Sequence, residues 1–152
     1  MTDIVPVAVR SRMMASIRAR DTKPELQVRR YLHSRGFRFR LVRKDLPGKP
    51  DLVLTRWQVA IFVHGCFWHG HVECRYATVP RTRTEFWAAK IATNAVRDTR
   101  SVDALIALGW RVIIVWECAL RDDPDFTLSK LEKSIRSDIQ QEEIRGPSQP
   151  AK

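Results

Sequence analysis

Three cysteines and one histidine have the residue types and spacing of a metal site. Cys66, His71 and Cys74 lie within nine residues, and Cys118 follows a strongly apolar run later in the chain. A set of three cysteines and one histidine fills the tetrahedral coordination that Zn²⁺ prefers. A filled shell leaves no position for water, so the pattern predicts a structural zinc site. The alternative is that these thiols are simply buried or loose and that Cys118 belongs to the core.

An aspartate and two histidines could support hydrolysis of a phosphodiester. Asp51 follows a proline at the start of one short apolar run, His64 ends the next run, and His69 comes five residues later. If the two runs form a hairpin, Asp51 and the end of the second strand can share one site. An aspartate is a hard oxygen ligand for Mg²⁺, and an imidazole that titrates near neutral pH can act as general base or acid.

Two further acids could hold metal-bound waters around such a site. They are Glu25, which begins a predicted helix, and Asp98, which lies within another. Each has a simpler interpretation: Glu25 stands at the capping-box position after Thr22, and Asp98 could be a helix-breaking or solvated charge. Asp51 alone is more often a turn or cap residue. The group is more persuasive than any one of its members.

Large aromatic side chains accompany these groups. Phe67 and Trp68 are adjacent between the first cysteine and His69, and Trp87 begins a predicted helix. Flat side chains in a basic cleft can insert between base pairs and replace lost stacking. We therefore predict intercalation by these three rings, with Met14 of the N-terminal segment as a further wedge. Ordinary core packing is the competing explanation.

The elements that position these residues follow from the apolar pattern. Alternation of helical and strand periods predicts an α/β fold in which helices flank a mixed sheet. The predicted helices begin at Thr22 and end near Gly36, run from about 84 to 108 with a break near Asp98, and run from about 125 to 143. The predicted strands are 37–41, 52–54, 59–63 and 112–116, the middle two forming a hairpin after the loop 46–50.

The chain of 152 residues carries 27 Lys and Arg against 17 Asp and Glu, a formal charge of +10. Residues 1–120 account for the excess, with 21 basic and 10 acidic side chains. Such a field attracts polyanions, so nucleic acid is the leading partner, with a merely basic soluble protein or a membrane-surface protein as alternatives. The sequence has no apolar run long enough to cross a bilayer, so we predict a cytoplasmic protein. Its basic charge adds the prediction that it is associated with the nucleoid, and we expect it to act as a monomer.

The chain also divides by composition. We predict a basic N-terminal arm over residues 1–20 that contacts DNA, a single folded domain over 21–145 that carries the candidate site, and a flexible tail over 146–152. The size of the central segment suits one domain with a sizeable core.

Several strings, in this order along the chain, resemble the very short patch repair (Vsr) endonucleases. The resemblance spans roughly residues 10–121. The strings are ARDT at 19–22, LPGKPD at 46–51, HGCFWH at 64–69, TRTEFW at 82–87, GWRV at 109–112 and VWECAL at 115–120. The resemblance implies a restriction-endonuclease-like fold. It also implies Mg²⁺-dependent incision on the 5′ side of the thymine in a T·G mispair, within a short sequence context.

The resemblance also implies roles and partners. Asp51 and the main-chain carbonyl of Val63 would bind Mg²⁺, Glu25, His64 and Asp98 would form its outer shell, and His69 would be the general acid or base. The four cysteine and histidine residues would bind zinc, and Phe67, Trp68 and Trp87 would intercalate. A cytosine-5 DNA methyltransferase would share the host, because T·G mispairs arise from deaminated 5-methylcytosine, and MutL is a possible helper.

Two other functions remain open at this point. One is a non-catalytic, zinc-stabilised module that binds mismatched DNA, which would leave Asp51 and His69 without a role. The other is a zinc hydrolase that acts on a different substrate.

Overall fold

The computed structural model describes residues 22–41 and 43–146. The predicted arm, including Met14, and residues 147–152 of the predicted tail lie outside the described residues. The elements are α1 (Lys23–Ser34), β1 (Leu52–Leu54), β2 (Val59–His64), α2 (Thr84–Ala107), β3 (Arg111–Trp116), α3 (Glu117–Asp122), α4 (Pro124–Arg136) and β4 (Gln141–Ile144).

The four strands form one mixed sheet in the order β1-β2-β3-β4. β1 and β2 are antiparallel, with Leu52 opposite Ile61, as the predicted hairpin requires. β2 and β3 are parallel, with His64 opposite Trp116, and β4 is parallel to β3. The prediction of an α/β fold with a mixed sheet is therefore confirmed.

Helices cover both faces of the sheet because its central strands are apolar throughout. All six residues of β2 are buried, as expected of a strand covered on both faces. One core cluster joins the sheet to α1 and α4, through residues such as Leu32 and Leu131. A second joins the opposite face to α2 through Val102 and Leu105. This three-layer packing fixes the ends of β2 and β3, where the site lies.

The start of α1 agrees with its predicted capping box. The Thr22 hydroxyl accepts a hydrogen bond from the Glu25 backbone N–H at 3.4 Å, and Pro24 lies in the first turn. This cap satisfies an N–H that the helix itself leaves unpaired. It also fixes the first turn, which points the Glu25 side chain into the protein.

Two of the predicted elements were wrong. Residues 37–41 form a single bridge, Arg40 to Val53, instead of a strand. Their alternation arises because Phe37 and Phe39 pack on the core while the arginines between them face solvent. The helix predicted over 125–143 ends at Arg136, and the polar segment Gln141–Ile144 pairs with β3 as β4.

The longest helix, α2, is continuous through Asp98. The expected break is absent because an aspartate costs little on a helix surface, where its side chain is free to bond elsewhere. Among the described residues, no helix combines the length and apolar character that a membrane crossing requires.

Candidate active site and metal centre

The candidate site lies where β2 ends and the segment 65–83 begins. β1 brings Asp51 to this edge, α1 brings Glu25, and α2 brings Asp98. His64 ends β2, and the segment itself carries His69, two of the three intercalation candidates and three of the four predicted zinc ligands. Side chains from every layer of the fold therefore meet at one end of the sheet.

Two hydrogen bonds to the backbone of β2 hold Asp51, which directly precedes β1. Its backbone N–H donates to the carbonyl of Ile61 at 2.9 Å, and its Oδ2 accepts the Val63 N–H at 2.7 Å. The N–H and C=O of an extended residue point to the same side of a strand. The carbonyl of Val63 therefore faces the side on which the Asp51 carboxyl lies, which brings two hard oxygen donors together.

Glu25 places a second acid beside Asp51. It is 2% exposed, and its Oε2 accepts a hydrogen bond from Arg29 Nη2 at 3.2 Å. Burial, followed by the charge and hydrogen bond of Glu25, raises the pKa of Asp51 to about 7, against the opposing effects of the Val63 N–H and Arg29. When two carboxyl groups lie this close with little solvent around them, a positive charge nearby favours their ionised forms.

Two histidines and Asp98 form a neighbouring cluster. His69 Nδ1 lies 2.5 Å from Asp98 Oδ2, and the rings of His64 and His69 stack with centroids 3.8 Å apart. His64 is buried, and its Nδ1 has no hydrogen-bond partner among the described residues. Burial, and then the neighbouring His69, lower the pKa of His64 to about 3. His64 is therefore neutral at physiological pH and packs against His69 without competing for its proton.

The carboxyl pair and the histidine cluster are linked through the backbone. Asp51 bonds to the N–H of Val63, the residue before His64, so the hairpin brings both groups to one end of β2. The structure therefore brings together Glu25, Asp51, His64, His69 and Asp98 at the same edge of the sheet, in two adjoining groups.

The predicted zinc ligands converge in a buried pocket. The ligand atoms of Cys66, His71, Cys74 and Cys118 all lie within 4.8 Å of one another. The Cys118 N–H donates to Cys66 Sγ at 3.3 Å, and His71 Nδ1 lies 3.4 Å from Cys118 Sγ. The hydrogen bond between the two thiols is the main factor that raises the pKa of Cys66 and lowers that of Cys118 to about 5. Three sulfurs and one imidazole nitrogen this close could bind a metal ion such as zinc.

Residues that follow α4 support this metal pocket. The sequence analysis did not predict these contacts. Gly146 donates its N–H to Cys118 Sγ at 3.3 Å, and Glu143 of β4 accepts the Trp116 indole N–H at 2.8 Å. His71 in turn stacks on Trp116, with centroids 3.9 Å apart. Hydrogen bonds to sulfur and fixed ring orientations are the contacts that tune a metal site from outside its ligands.

The three predicted intercalating rings form one aromatic cluster beside the histidines. Phe67 lies 5.0 Å from Trp68 and 5.6 Å from Trp87 between centroids, and the two tryptophans are 5.8 Å apart. All three are half-buried, and Asn94 of α2 fixes the Trp68 carbonyl with a hydrogen bond of 3.0 Å. The rings pack on one another and keep part of their surface exposed. They are therefore ordered side chains that are only partly buried, which differs from ordinary core packing.

This fold and this site define the class of the protein: a nuclease-like α/β protein with a buried cysteine and histidine pocket. The family model described as DNA mismatch endonuclease Vsr matches residues 2–75. The chain is 49% identical to the DNA mismatch endonuclease Vsr of Escherichia coli (strain K12), over 89% of this chain and 86% of that protein. It is 47% identical to the type II nicking enzyme V.XorIIP of Xanthomonas oryzae pv. oryzae, over 90% of this chain and 96% of that protein.

A third relative is the type II nicking enzyme V.NmeAIP of Neisseria meningitidis serogroup A, which is 43% identical over 80% of this chain and 86% of that protein. Similarity of this degree extends along nearly the whole chain, beyond the segment that the family model matches. The chain therefore belongs to the Vsr family of DNA mismatch endonucleases, as the sequence motifs predicted.

Proposed function

We propose that this protein is a DNA-nicking endonuclease of mismatch repair that cuts one strand on the 5′ side of the thymine in a T·G mispair. The observation that carries the proposal is that the half-buried Asp51 and the buried Glu25 lie beside the His69 and Asp98 pair. Membership of the family supports it, because the relatives named above are a mismatch endonuclease and nicking enzymes.

The carboxyl pair suits a divalent cation. Asp51 and the carbonyl of Val63 would be direct oxygen ligands of Mg²⁺, with Glu25 and the histidine cluster around its waters. The raised pKa of Asp51 supports this assignment, since a divalent cation would offset the burial and the neighbouring Glu25 charge that raise it. When bound, Mg²⁺ would neutralise the charge that develops on the phosphate during hydrolysis.

His69 is placed to move a proton. Its Nδ1 faces the Asp98 carboxylate, so an Nδ1–H donated to Asp98 leaves Nε2 as the free basic nitrogen. Stacking against the neutral His64 ring restricts rotation of His69 about its side-chain bonds. We propose that Nε2 accepts a proton from the attacking water, or donates one to the leaving oxygen in the reverse assignment.

The buried pocket suits a structural zinc ion. All four donors are used, which leaves no open position for substrate. The metal would fix the segment that carries His69 and the aromatic rings to the end of β3, where Cys118 lies. This role positions other residues and supplies no chemistry to the cut bond.

Phe67, Trp68 and Trp87 would recognise the mispair by stacking. Opening a base step costs least where the pairing is already weak, so rings that replace lost stacking favour mispaired DNA. The proposal extends to duplex DNA as substrate, to action downstream of a cytosine-5 DNA methyltransferase and to cooperation with MutL. We propose that the chain acts as a monomer.

A nicking assay tests this function. We expect the protein to cut the thymine strand of a T·G duplex when Mg²⁺ is present and to leave the matched T·A duplex intact. Binding of T·G duplex without cutting at any Mg²⁺ concentration would instead favour the non-catalytic module. Cutting that persists after Mg²⁺ is removed, with zinc still bound, would favour a zinc hydrolase.

A further inference from the structure

A groove of about 470 Å³ lies on the outer side of β1, away from the metal pocket. Its basic lining comes from Arg38, Arg40 and Arg56, all of which are exposed. Phe39 and Leu41 contribute an apolar floor. None of the proposed catalytic residues lines this groove. Arg38 and Arg40 alternate with Phe37 and Phe39 in the segment wrongly predicted as a strand, and the proposed function gives these two arginines no role.

These guanidinium groups have no acidic partner within the described part of the chain, in contrast to several other arginines. Arg35 bonds to Glu132 and Arg43 to Asp45, at 2.9 and 2.6 Å. Arg38 instead donates to the carbonyl of the residue before it, and Arg56 lies 5.7 Å above the Trp57 ring. The three positive charges line a single open groove and repel one another. An anion bound in the groove would reduce this repulsion.

The position of the groove suggests which anion. Arg40 pairs with Val53, two residues after Asp51, and Thr55 lies two residues further on. Val53 belongs to β1, so at about 3.3 Å per strand residue it lies roughly 7 Å from Asp51. A DNA duplex carries one phosphate charge for roughly every 1.7 Å of its axis, so a duplex held at Asp51 presents further phosphates within reach of the groove.

We propose that this arginine groove binds the sugar-phosphate backbone of the duplex that flanks the mispair. The inference rests on the proposed function for the position of the cut phosphate. Planar guanidinium groups bind phosphate through paired hydrogen bonds, and the apolar floor suits the sugar face of the backbone. The contacts are independent of sequence, so the groove adds affinity and orientation without choosing the mispair.

The salt dependence of binding tests the proposal. Log Kobs falls with log salt by about 0.9 for each phosphate contact, so Arg38→Ala with Arg56→Ala should reduce the slope by about 2. The measurement is fluorescence anisotropy of a labelled duplex without Mg²⁺, with thermal unfolding as a check on folding. The matched control is Lys130→Ala with Lys133→Ala on α4, which removes the same charge and should leave the slope unchanged. An equal change in both double variants, or none in the groove variant, would overturn the proposal.

Two further arms make the result specific. Arg38→Lys with Arg56→Lys keeps the charge and should keep most of the slope, so retained folding with a lost slope would contradict the electrostatic account. Duplexes shortened on one side of the mispair should weaken binding of the original protein more than of the alanine variant, on the side that reaches the groove. Equal sensitivity of both proteins to shortening on both sides would place the phosphate contacts elsewhere.

The outcome is separable from that of the nicking assay. A protein that shows the predicted slopes but never cuts T·G duplex defeats the proposed function and leaves the groove as a DNA-binding surface. A protein that cuts T·G duplex while the alanine variant keeps the full slope defeats the groove alone.

Discussion

Two acids in this molecule, the buried Glu132 and the half-buried Asp51, have opposite surroundings. Glu132 of α4 accepts hydrogen bonds from Tyr31 at 2.8 Å, Arg35 at 2.9 Å and Arg136 at 3.2 Å. These partners, Arg35 foremost, lower its pKa. Asp51 has one backbone donor and a second carboxyl group beside it, and its pKa is raised.

The difference shows where the fold satisfies its charges and where it does not. At the contact between α1 and α4 the acid serves packing, and every neighbour favours its ionised form. At the end of β2, burial and then the neighbouring Glu25 disfavour the ionised form of Asp51 despite the Val63 N–H and Arg29. An arrangement that costs stability points to use of the site for another purpose.

Replacement of Asp51 should have the largest effect. We expect Asp51→Asn to reduce nicking of T·G duplex by at least about 100-fold while binding is retained, because an amide is a poor Mg²⁺ ligand. Glu132→Gln removes the other acid and should leave the nicking rate of the folded protein within about 2-fold. Comparable losses in both variants would erase the distinction between the two acids.

Asp98→Asn should have an intermediate effect. Without the carboxylate, His69 loses the partner that fixes its ring and its proton, and we expect nicking to fall by roughly 10- to 100-fold. Thermal unfolding of both proteins separates this positioning role from a loss of folding, because the melting temperature should be nearly unchanged while the single-turnover nicking rate falls. A folded variant that nicks at the original rate would contradict the role of Asp98.

The pKa of Asp51 predicts a gain of stability on mutation. A folded pKa of about 7, above the unfolded value of about 3.9, favours the fold at low pH, and this contribution disappears as the pH rises through 7. Without added Mg²⁺ but with zinc retained, Asp51→Asn should therefore be more stable than the original protein by roughly 2 kcal/mol at pH 8, a limit near 4 kcal/mol being reduced by partial exposure. Urea unfolding at pH 4 and pH 8 should show the gain only at the higher pH.

Glu132 should behave in the opposite sense, with the smallest effect. Its lowered folded pKa gives stability that is present above about 4.3 and is lost as the pH falls through the folded value. We expect Glu132→Gln to reduce the free energy of unfolding by about 1 kcal/mol at pH 7, given its exposed arginine partners, and by little at pH 3. If the loss is the same at both pH values, packing and not charge explains it.

Strong local patterns made the centre of the molecule predictable. The apolar runs of β2 and β3, the cap at Thr22 and the cysteine and histidine spacing all express short-range physics, and the structure agrees with each. β4 was missed because Gln141–Ile144 is largely polar, and its pairing depends on a neighbour 29 residues earlier in the chain, with Val112 opposite Gln141.

The detailed geometry of the site was beyond the sequence for a similar reason. The pairing of Asp98 with His69 rather than His64 depends on how α2 lies against the segment after β2. The support of Trp116 by Glu143 depends on the unpredicted strand. Contacts between distant segments decide these details, and spacing along the chain carries no information about them.

The metal pocket has a consequence for how the protein is made. Its donors are spread from Cys66 to Cys118, and the N–H that bonds to the last sulfur belongs to Gly146, 28 residues further on. Since synthesis proceeds from the N-terminus, the ribosome releases the segment with His69 and the aromatic rings well before the residues that lock it in place. A nascent polypeptide that has not yet reached Gly146 therefore lacks the finished scaffold, and the order of synthesis sets the order in which the site can be assembled.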